Sequence, residues 1–274
     1  MSPALKWLKR ISFGVLVVLI TFYTLFPFYW AVVSSLKQGS SLFLVEAWPK
    51  QPAWSNYSAV FTEQPCGRNL LNSVVVAGSV VLVSLFLAIT AAFALARIRF
   101  RGRAPLMLMI LGVSMFPQIA VLSGMFELIR ALGLYNKLPA LTLSYMLFTL
   151  PFTVWVLTTF MRELPKELEE AAVIDGASRI GIFWRIALPL SVPGLVTVGV
   201  LAFVGSWNAY LLPLLLLQGE MRTLPLGVAD YSTEYSADTA GVLAFTTVAM
   251  IPALVLFLTM QGRIVNGLQG AVKG

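Results

Sequence analysis

Six long segments almost free of charge constrain this chain more than any other feature of its sequence. They cover residues 11–34, 70–96, 105–126, 138–161, 190–217 and 240–262. Each segment has roughly the 20 residues that a helix needs to cross the hydrocarbon core of a bilayer. Their unbroken Leu, Val and Phe runs lack the period of two that membrane β-strands show. The sequence therefore predicts an all-α membrane protein with six transmembrane helices.

The composition agrees with this prediction and excludes several classes of protein. Of the 274 residues, 58% are hydrophobic and only 11% are charged, which is too little polar sequence to cover a soluble globule. No internal repeat or soluble domain is recognisable, so we expect residues 1–274 to form a single membrane domain. Histidine is absent and Cys66 is the one cysteine, so this chain cannot build a metal cluster, a catalytic Cys–His pair or an internal disulfide. An enzyme is therefore not expected.

The basic residues predict the orientation of the spans. Of the 19 Lys and Arg residues, 13 precede the first span, lie between spans two and three or spans four and five, or follow the sixth span. The positive-inside rule then places both termini and residues 165–189 in the cytoplasm. Because this asymmetry explains the net charge of +7, no nucleic-acid partner is inferred.

Residues 165–189 form a long polar insertion between the fourth and fifth predicted spans. Pro165 suits the first turn of a helix, and the glutamates at 167, 169 and 170 place negative charge at its positive end. Gly176 is expected to end that helix, because glycine adopts a left-handed backbone without strain. A second helix is expected from Ser178, with one apolar face formed by Ile180, Phe183, Trp184 and Ala187.

This insertion resembles the cytoplasmic EAA loop of ABC-importer permeases. The residues that match the motif, at its separations and without a gap, are Glu170, Ala171, Ala172, Gly176, Ile186, Leu188 and Pro189. The resemblance implies a type I ABC importer permease fold, whose paired coupling helices sit in a groove of a dimeric ABC ATPase. ATP and Mg²⁺ would bind to that ATPase, and this chain would carry no cofactor. An amphipathic helix on the membrane surface is the alternative, which Arg179, Trp184 and Arg185 also suit.

Two further stretches resemble the carbohydrate-importing, MalG-like branch of these permeases. They are GLYNKLPAL at residues 133–141 and LPFTVWVLTTFMRELP at residues 150–165, within a similarity that extends from about Asn69 onwards. The resemblance implies an inner-membrane complex with a second, MalF-like permease, an external solute-binding protein and a sugar substrate. An ABC permease for an amino acid or a polyamine, and a non-transporting scaffold that uses the loop for docking, remain as alternatives.

Energy for transport is not expected to arise within this chain. It lacks the G-x4-G-K-[ST] loop that binds nucleotide phosphates. The interiors of the predicted spans also lack the ionisable side chains that proton- or sodium-coupled carriers commonly use. We therefore expect the energy to enter through the EAA loop.

Two groups of polar residues are candidates for other sites. Ser206, Asn208 and Tyr210 interrupt the apolar fifth span, where they either border a translocation path or form packing hydrogen bonds. Residues 219–239 are expected to form an external loop, a region that faces the binding protein in the MalG-like family. The residues expected to make that contact are Asp230, Tyr231, Glu234 and Tyr235.

Overall fold

The structure, a computed structural model, describes residues 3–234 and 238–272. For residues 3–5, 8, 233, 234 and 263–272 it describes the helix but not the side chains. Within the described ranges every regular element is helical, which confirms the all-α prediction.

The helices are numbered here in chain order over the described residues. They are α1 (Pro3–Ser35), α2 (Ser55–Thr62), α3 (Cys66–Arg97), α4 (Arg103–Ser114), α5 (Gln118–Ala131), α6 (Leu138–Glu163), α7 (Glu167–Ile174), α8 (Arg179–Leu190), α9 (Val192–Trp207), α10 (Leu211–Leu216), α11 (Leu224–Glu234) and α12 (Thr239–Val272). Within α8, Phe183–Ala187 form a π-helical turn. Short 3₁₀ helices lie at Gly39–Phe43 and Gly219–Met221.

Four stretches of helix are long and apolar enough to cross a membrane by themselves. They are Lys9–Ser35, Cys66–Arg97, Leu138–Glu163 and Thr239–Gly262. Two further candidates are bent pairs: α4 with α5, which meet at 93°, and α8 with α9, which meet at 69°. If each bent pair is one span, the described residues hold six.

Prolines explain why two predicted spans are not single helices. In the segment predicted at 105–126, Pro117 has extended backbone and no N–H to donate, so α4 ends before it and α5 begins after it. The segment predicted at 190–217 contains both α9 and α10, separated at residues 208–210. Pro213 is tolerated in the first turn of α10, but it could not continue a helix from Ala209 because its ring would clash with that carbonyl.

The chain divides into two compact units, one of which comprises Met1–Cys66 and Val228–Met250. In this unit the chain after α1 folds around a fully buried Lys37. The lysine Nζ donates a 2.7 Å hydrogen bond to the Leu44 carbonyl and lies 4.8 Å from the centre of the Trp30 ring. Asn56 donates to the carbonyls of Ser35 and Lys37, so the buried polar groups here satisfy one another.

The other unit comprises Gly67–Gly227 and Ile251–Gly274 and has two apolar clusters. One cluster joins α3, α5, α6 and α10 around Val80, Ile129 and Leu141. The second joins α3, α6, α8 and α9 around Ala92, Leu157, Met161, Phe183 and Val198. The second cluster matters for function, because it holds α8 against two long helices. Since α11 and α12 each run through both units, the single-domain prediction for residues 1–274 stays a prediction.

Candidate functional site

Helix α7 ends in a Schellman motif, a left-handed helix stop, at Gly176. The glycine has a φ of +82°, its N–H donates to Val173 at 3.0 Å, and the Ala177 N–H donates to Ala172 at 2.9 Å. The predicted helix stop is therefore confirmed. The start differs slightly from the prediction, because α7 begins at Glu167 and Pro165 precedes it.

Helix α8 begins directly after this stop. The Ser178 side chain accepts a 3.1 Å hydrogen bond from the Gly181 N–H and so caps the helix, which begins where the sequence predicted a second helix. The predicted single apolar face is wrong. Phe183 and Ala187 are buried, whereas Ile180 and Trp184 are exposed. Phe183 packs edge-on against Phe93 of α3 at 5.2 Å, and this contact fixes which side of α8 faces inward.

Five large apolar side chains between Glu167 and Trp184 are exposed, and we call them the coupling patch. They are Leu168, Val173, Ile174, Ile180 and Trp184. The exposure of Ile174 is 86% and that of Ile180 is 72%. A group of apolar side chains on a polar loop is unfavourable in water and is typical of a surface that a partner covers.

The motif residues divide between this outer surface and the base of the loop. Glu170, Ala171 and Gly176 are exposed, as is Pro189, while Ala172, Ile186 and Leu188 are partly buried. Leu188 packs against the second apolar cluster. The loop therefore presents its first helix outward and is anchored through its second.

An ion pair that the sequence interpretation missed fixes the position of α7. Arg97, at the end of α3, places its Nε 2.6 Å from Glu169 Oε1 and donates through Nη2 to the Leu164 carbonyl at 3.3 Å. The side chains are only 10% and 16% exposed. In the sequence Arg97 is one of the basic residues that indicate orientation, and no local pattern reveals its partner, which lies 72 residues away.

Ser206, Asn208 and Tyr210 lie at the break between α9 and α10. Ser206 is buried, and its hydroxyl donates to the Ala202 carbonyl at 2.7 Å. Asn208 is exposed and donates through Nδ2 to Val204 at 3.1 Å, and Tyr210 is also exposed. The open break thus presents Asn208 and Tyr210, whereas the hydroxyl proton of Ser206 is already used within α9.

The segment predicted as an external loop at residues 219–239 is largely helical. Its start is tied to α3: Asn72 Nδ2 donates to the carbonyls of Glu220 and Arg222, both at 2.9 Å. Helix α11 then covers Leu224–Glu234. The connection between the fifth and sixth predicted spans therefore contains a helix that the sequence interpretation did not assign, and its external position stays a prediction.

The four residues predicted to contact a binding protein are placed unequally. Asp230 is partly exposed, but Tyr231 is only 6% exposed. Tyr231 donates a 2.6 Å hydrogen bond to Asp238 Oδ2, and Asp238 Oδ1 accepts from the Gly241 N–H at 3.0 Å. The side chain of Glu234 and the whole of Tyr235 lie outside the described residues.

Comparison with known proteins decides the family. Residues 84–269 match the family described as the binding-protein-dependent transport system inner membrane component. The chain belongs to this family.

This chain, called the permease below, is similar to other permeases over most of their length. It is 37% identical over 254 residues to the sulfoquinovosyl glycerol transport system permease protein SmoH of Agrobacterium fabrum, covering 91% of this chain and 89% of SmoH. It is 35% identical to the trehalose/maltose transport system permease protein MalG of Thermococcus litoralis, covering 97% of this chain and 98% of that protein.

A solved structure shows the same fold. A chain of a bacterial ABC transporter involved in the import of the acidic polysaccharide alginate matches with a TM-score of 0.80 and 22% identity. The match covers 96% of the permease and 98% of that chain. The predicted all-α fold of an ABC importer permease is therefore confirmed.

Family membership settles the class of function. The permease is a multi-pass component of the inner membrane and works within a binding-protein-dependent transport system. It is a transport subunit and not an enzyme, and in this family ATP is bound by the partner ATPase while the permease carries no cofactor. The membrane prediction made from the apolar segments and the family prediction made from the EAA motif are thus confirmed.

Proposed function

We propose that this permease imports a sugar and receives the energy of ATP hydrolysis through the loop at residues 165–189. It would pair with a second, MalF-like permease and sit on a dimeric ABC ATPase. The observation that carries the proposal is the coupling patch, which is exposed on a loop whose base is packed firmly. In this arrangement Glu170, Ala171, Ala172 and Gly176 form the contact surface, and Ile186, Leu188 and Pro189 form the anchor.

The coupling patch has the properties of a helix that fits into a groove. Exposed apolar side chains on short helices are the usual anchors of such contacts, and here both α7 and α8 supply them, with Ile180 and Trp184 four residues apart on α8. Full burial of an isoleucine side chain stabilises by about 2 kcal/mol, so Ile174 and Ile180 together are sufficient to dominate the contact. The small side chains of Ala171 and Ala172 allow close approach, and Glu170 offers a carboxylate to a donor on the groove wall.

Co-purification of the ATPase with the permease tests this proposal. We expect the double variant Ile174→Ser with Ile180→Ser to retain less than about a tenth of the ATPase, since two apolar anchors are lost. Phe43→Ser is the control, because it removes an equally exposed side chain from the chain following α1. Normal ATPase retention by the double variant would instead favour a helix that lies on the membrane surface.

The sugar assignment rests on the relatives and on the character of the fifth predicted span. Two relatives are named for transport of sulfoquinovosyl glycerol and of trehalose or maltose, which are both carbohydrates. Residues 190–217 contain no ionisable acid or base that would favour an amino acid or a polyamine. Asn208 and Tyr210 offer an amide and a ring face, which suit a polyhydroxylated ligand, and Ser206 would border the path at its buried side.

The proposed complex takes its substrate from an external binding protein. We infer that both termini lie in the cytoplasm, as the positive-inside rule predicts, and that Asp230, Tyr231, Glu234 and Tyr235 belong to the region that the binding protein meets. The translocation path would lie between the two permeases. Binding of ATP would close the ATPase dimer and shift the coupling helices, which would alternate the access of the path between the two sides.

An uptake assay over a panel of solutes tests the substrate class. The reconstituted complex should show ATPase stimulation by a sugar presented with the binding protein, and neither amino acids nor polyamines should compete. Asn208→Ala should then raise the sugar concentration needed for half-maximal uptake. ATP hydrolysis without sugar uptake, or competition by an amino acid or a polyamine, would contradict the sugar assignment.

A further inference from the structure

A cavity of about 1140 Å³ is lined partly by the loop at residues 165–189, the coupling loop, and has two chemically different sides. It is bounded by the end of α3, the turn that follows, α4, α6 and the start of α7. One side is apolar and includes Leu108 and Leu111 of α4 and Trp155 of α6. The other side is strongly basic. The cavity therefore suits an amphipathic molecule that carries negative charge at one end.

The basic side carries more positive charge than its carboxylates can neutralise. Besides Arg97 it holds a set that we call the basic cluster: Arg99, Arg103, Arg162 and Lys166. The carboxylates of the lining are Glu169 and Glu170, and Glu169 is already paired with Arg97. Among the described residues no carboxylate lies within ion-pair distance of any member of the basic cluster. The unbalanced charges favour an anionic occupant.

Arg97 supplies a second and independent indication. Its side chain is 10% exposed, and its Nη1 is buried and donates no hydrogen bond within the described residues. A buried guanidinium donor is ordinarily satisfied by an acceptor, because burying it without one is unfavourable. Arg97 lines the cavity, so an acceptor supplied by a bound molecule would satisfy this donor.

We propose that this cavity binds one anionic phospholipid. The phosphate group lies among the guanidinium groups of the basic cluster, whose planar donors match phosphate oxygens. An acyl chain lies along Leu108, Leu111 and Trp155. Basic recesses between membrane helices are suited to anionic headgroups, because a polar group and an apolar chain are recognised together.

Diffuse attraction to the membrane surface would not need this arrangement. Basic residues that orient a membrane protein do so by favouring the cytoplasmic side of the membrane. This effect requires neither a cavity nor an apolar wall beside them. Removal of positive charge from the cavity should therefore lower lipid binding more than removal of the same charge elsewhere.

The test uses the purified full chain in nanodiscs and a photoreactive phosphatidylglycerol, with photoreactive phosphatidylcholine as the neutral probe. The cavity variant carries Arg99→Gln, Arg103→Gln and Arg162→Gln. The control carries Lys6→Gln, Lys9→Gln and Arg10→Gln, which removes three exposed charges at the start of α1. We expect cross-links to the α4 and α6 linings, and about a hundredfold loss of phosphatidylglycerol binding in the cavity variant only.

Several results would overturn the proposal. Equal losses in the two variants would show diffuse attraction, and displacement of the probe by inorganic phosphate at the same concentration would show a site for a small anion. Cross-links from the cavity to the ATPase in the assembled complex, with loss of the lipid, would assign the cavity to that protein. If the triple variant fails to insert, Arg162→Gln alone should still lower binding about fivefold, and unchanged binding would count against the site.

Discussion

Two regions differ in which side chains they expose: the loop at residues 165–189, which we propose couples to the ATPase (the coupling loop), and residues 219–241, which we propose lie outside the membrane (the external segment). The loop exposes Ile174 and Ile180 to solvent although both are apolar. The external segment instead buries Tyr231 and pairs it with Asp238. Gly241 leaves room for that pair, since a Cβ atom there would collide with both Tyr231 Oη and Asp238 Oδ2.

This difference indicates two kinds of contact. Interfaces of permanent complexes are more apolar and resemble a protein core cut in half. Surfaces that make transient contacts are more polar, and their polar groups are hydrogen-bonded when the partners are apart. The coupling loop fits the first kind and suits an ATPase that stays bound. The external segment fits the second kind and suits a soluble protein that arrives and leaves.

The largest expected effect is at Gly176. In Gly176→Leu a residue with a large side chain must adopt the left-handed backbone conformation at a φ of +82°, which costs about 1–2 kcal/mol. Within this chain a Cβ atom at Gly176 meets nothing within 4 Å, so any steric obstruction comes from the partner. We expect the variant to insert normally but to lose sugar uptake, with the ATPase either released or hydrolysing ATP without transport.

Gly176→Asn is the matched control for this prediction. Asparagine tolerates the left-handed region better than leucine and is smaller, so most uptake should remain. Uptake is measured in vesicles together with ATPase retention. Normal uptake by Gly176→Leu, with the ATPase bound and coupled, would remove the loop as the site of energy transfer.

The second prediction compares ion pairs on the two regions. Arg97→Gln removes the ionic partner of Glu169, whose side chain is nearly buried. Loss of a partner for a buried polar group lowers the free energy of unfolding by about 1–3 kcal/mol. We expect uptake to fall about tenfold because α7 is no longer held, and the double reversal Arg97→Glu with Glu169→Arg to restore part of it.

The control for the second prediction is the Arg68–Glu220 pair near the external segment. Its side chains are 52% and 72% exposed, so Arg68→Gln should change stability by less than about 1 kcal/mol and leave uptake near normal. A tenfold loss in Arg68→Gln, or none in Arg97→Gln, would reverse the contrast between the two regions.

Sequence reasoning succeeded where the deciding signal was local. The glutamates at 167, 169 and 170, the stop at Gly176 and the helix start at Ser178 all depend on signals within one or two helical turns, and the structure has these features where they were expected. The breaks at Pro117 and Pro213 also had local signals, but long apolar runs suggested continuous spans. Length alone does not distinguish a straight helix from a bent pair.

The remaining features depend on contacts distant in sequence. Arg97 meets Glu169 across 72 residues, and Asn72 holds the Glu220 carbonyl across 148. The division of α8 into buried Phe183 and exposed Ile180 depends on where Phe93 lies. No period or spacing in a single sequence specifies such pairs, because each depends on how separate helices pack.

The smallest expected effect is at Tyr231. Tyr231→Phe keeps the ring, which lies 6.1 Å from that of Phe245, and removes only the hydroxyl that donates to Asp238. A net hydrogen bond contributes about 1 kcal/mol, so the segment should lose part of its preferred shape.

If the binding protein meets a preformed external segment, Tyr231→Phe should lower stimulation of the ATPase by the loaded binding protein about threefold to fivefold. Basal ATPase activity should stay unchanged, because the coupling loop is untouched. Tyr23→Phe is the control, since that side chain is 83% exposed on α1 and its hydroxyl has no comparable role. Unchanged stimulation in Tyr231→Phe would mean that the Tyr231–Asp238 pair only stabilises the segment. Asp230 would then be the next residue to test for contact with the binding protein. A loss of basal activity would instead show that the external segment and the coupling loop are linked, which would end the contrast between a permanent and a transient surface.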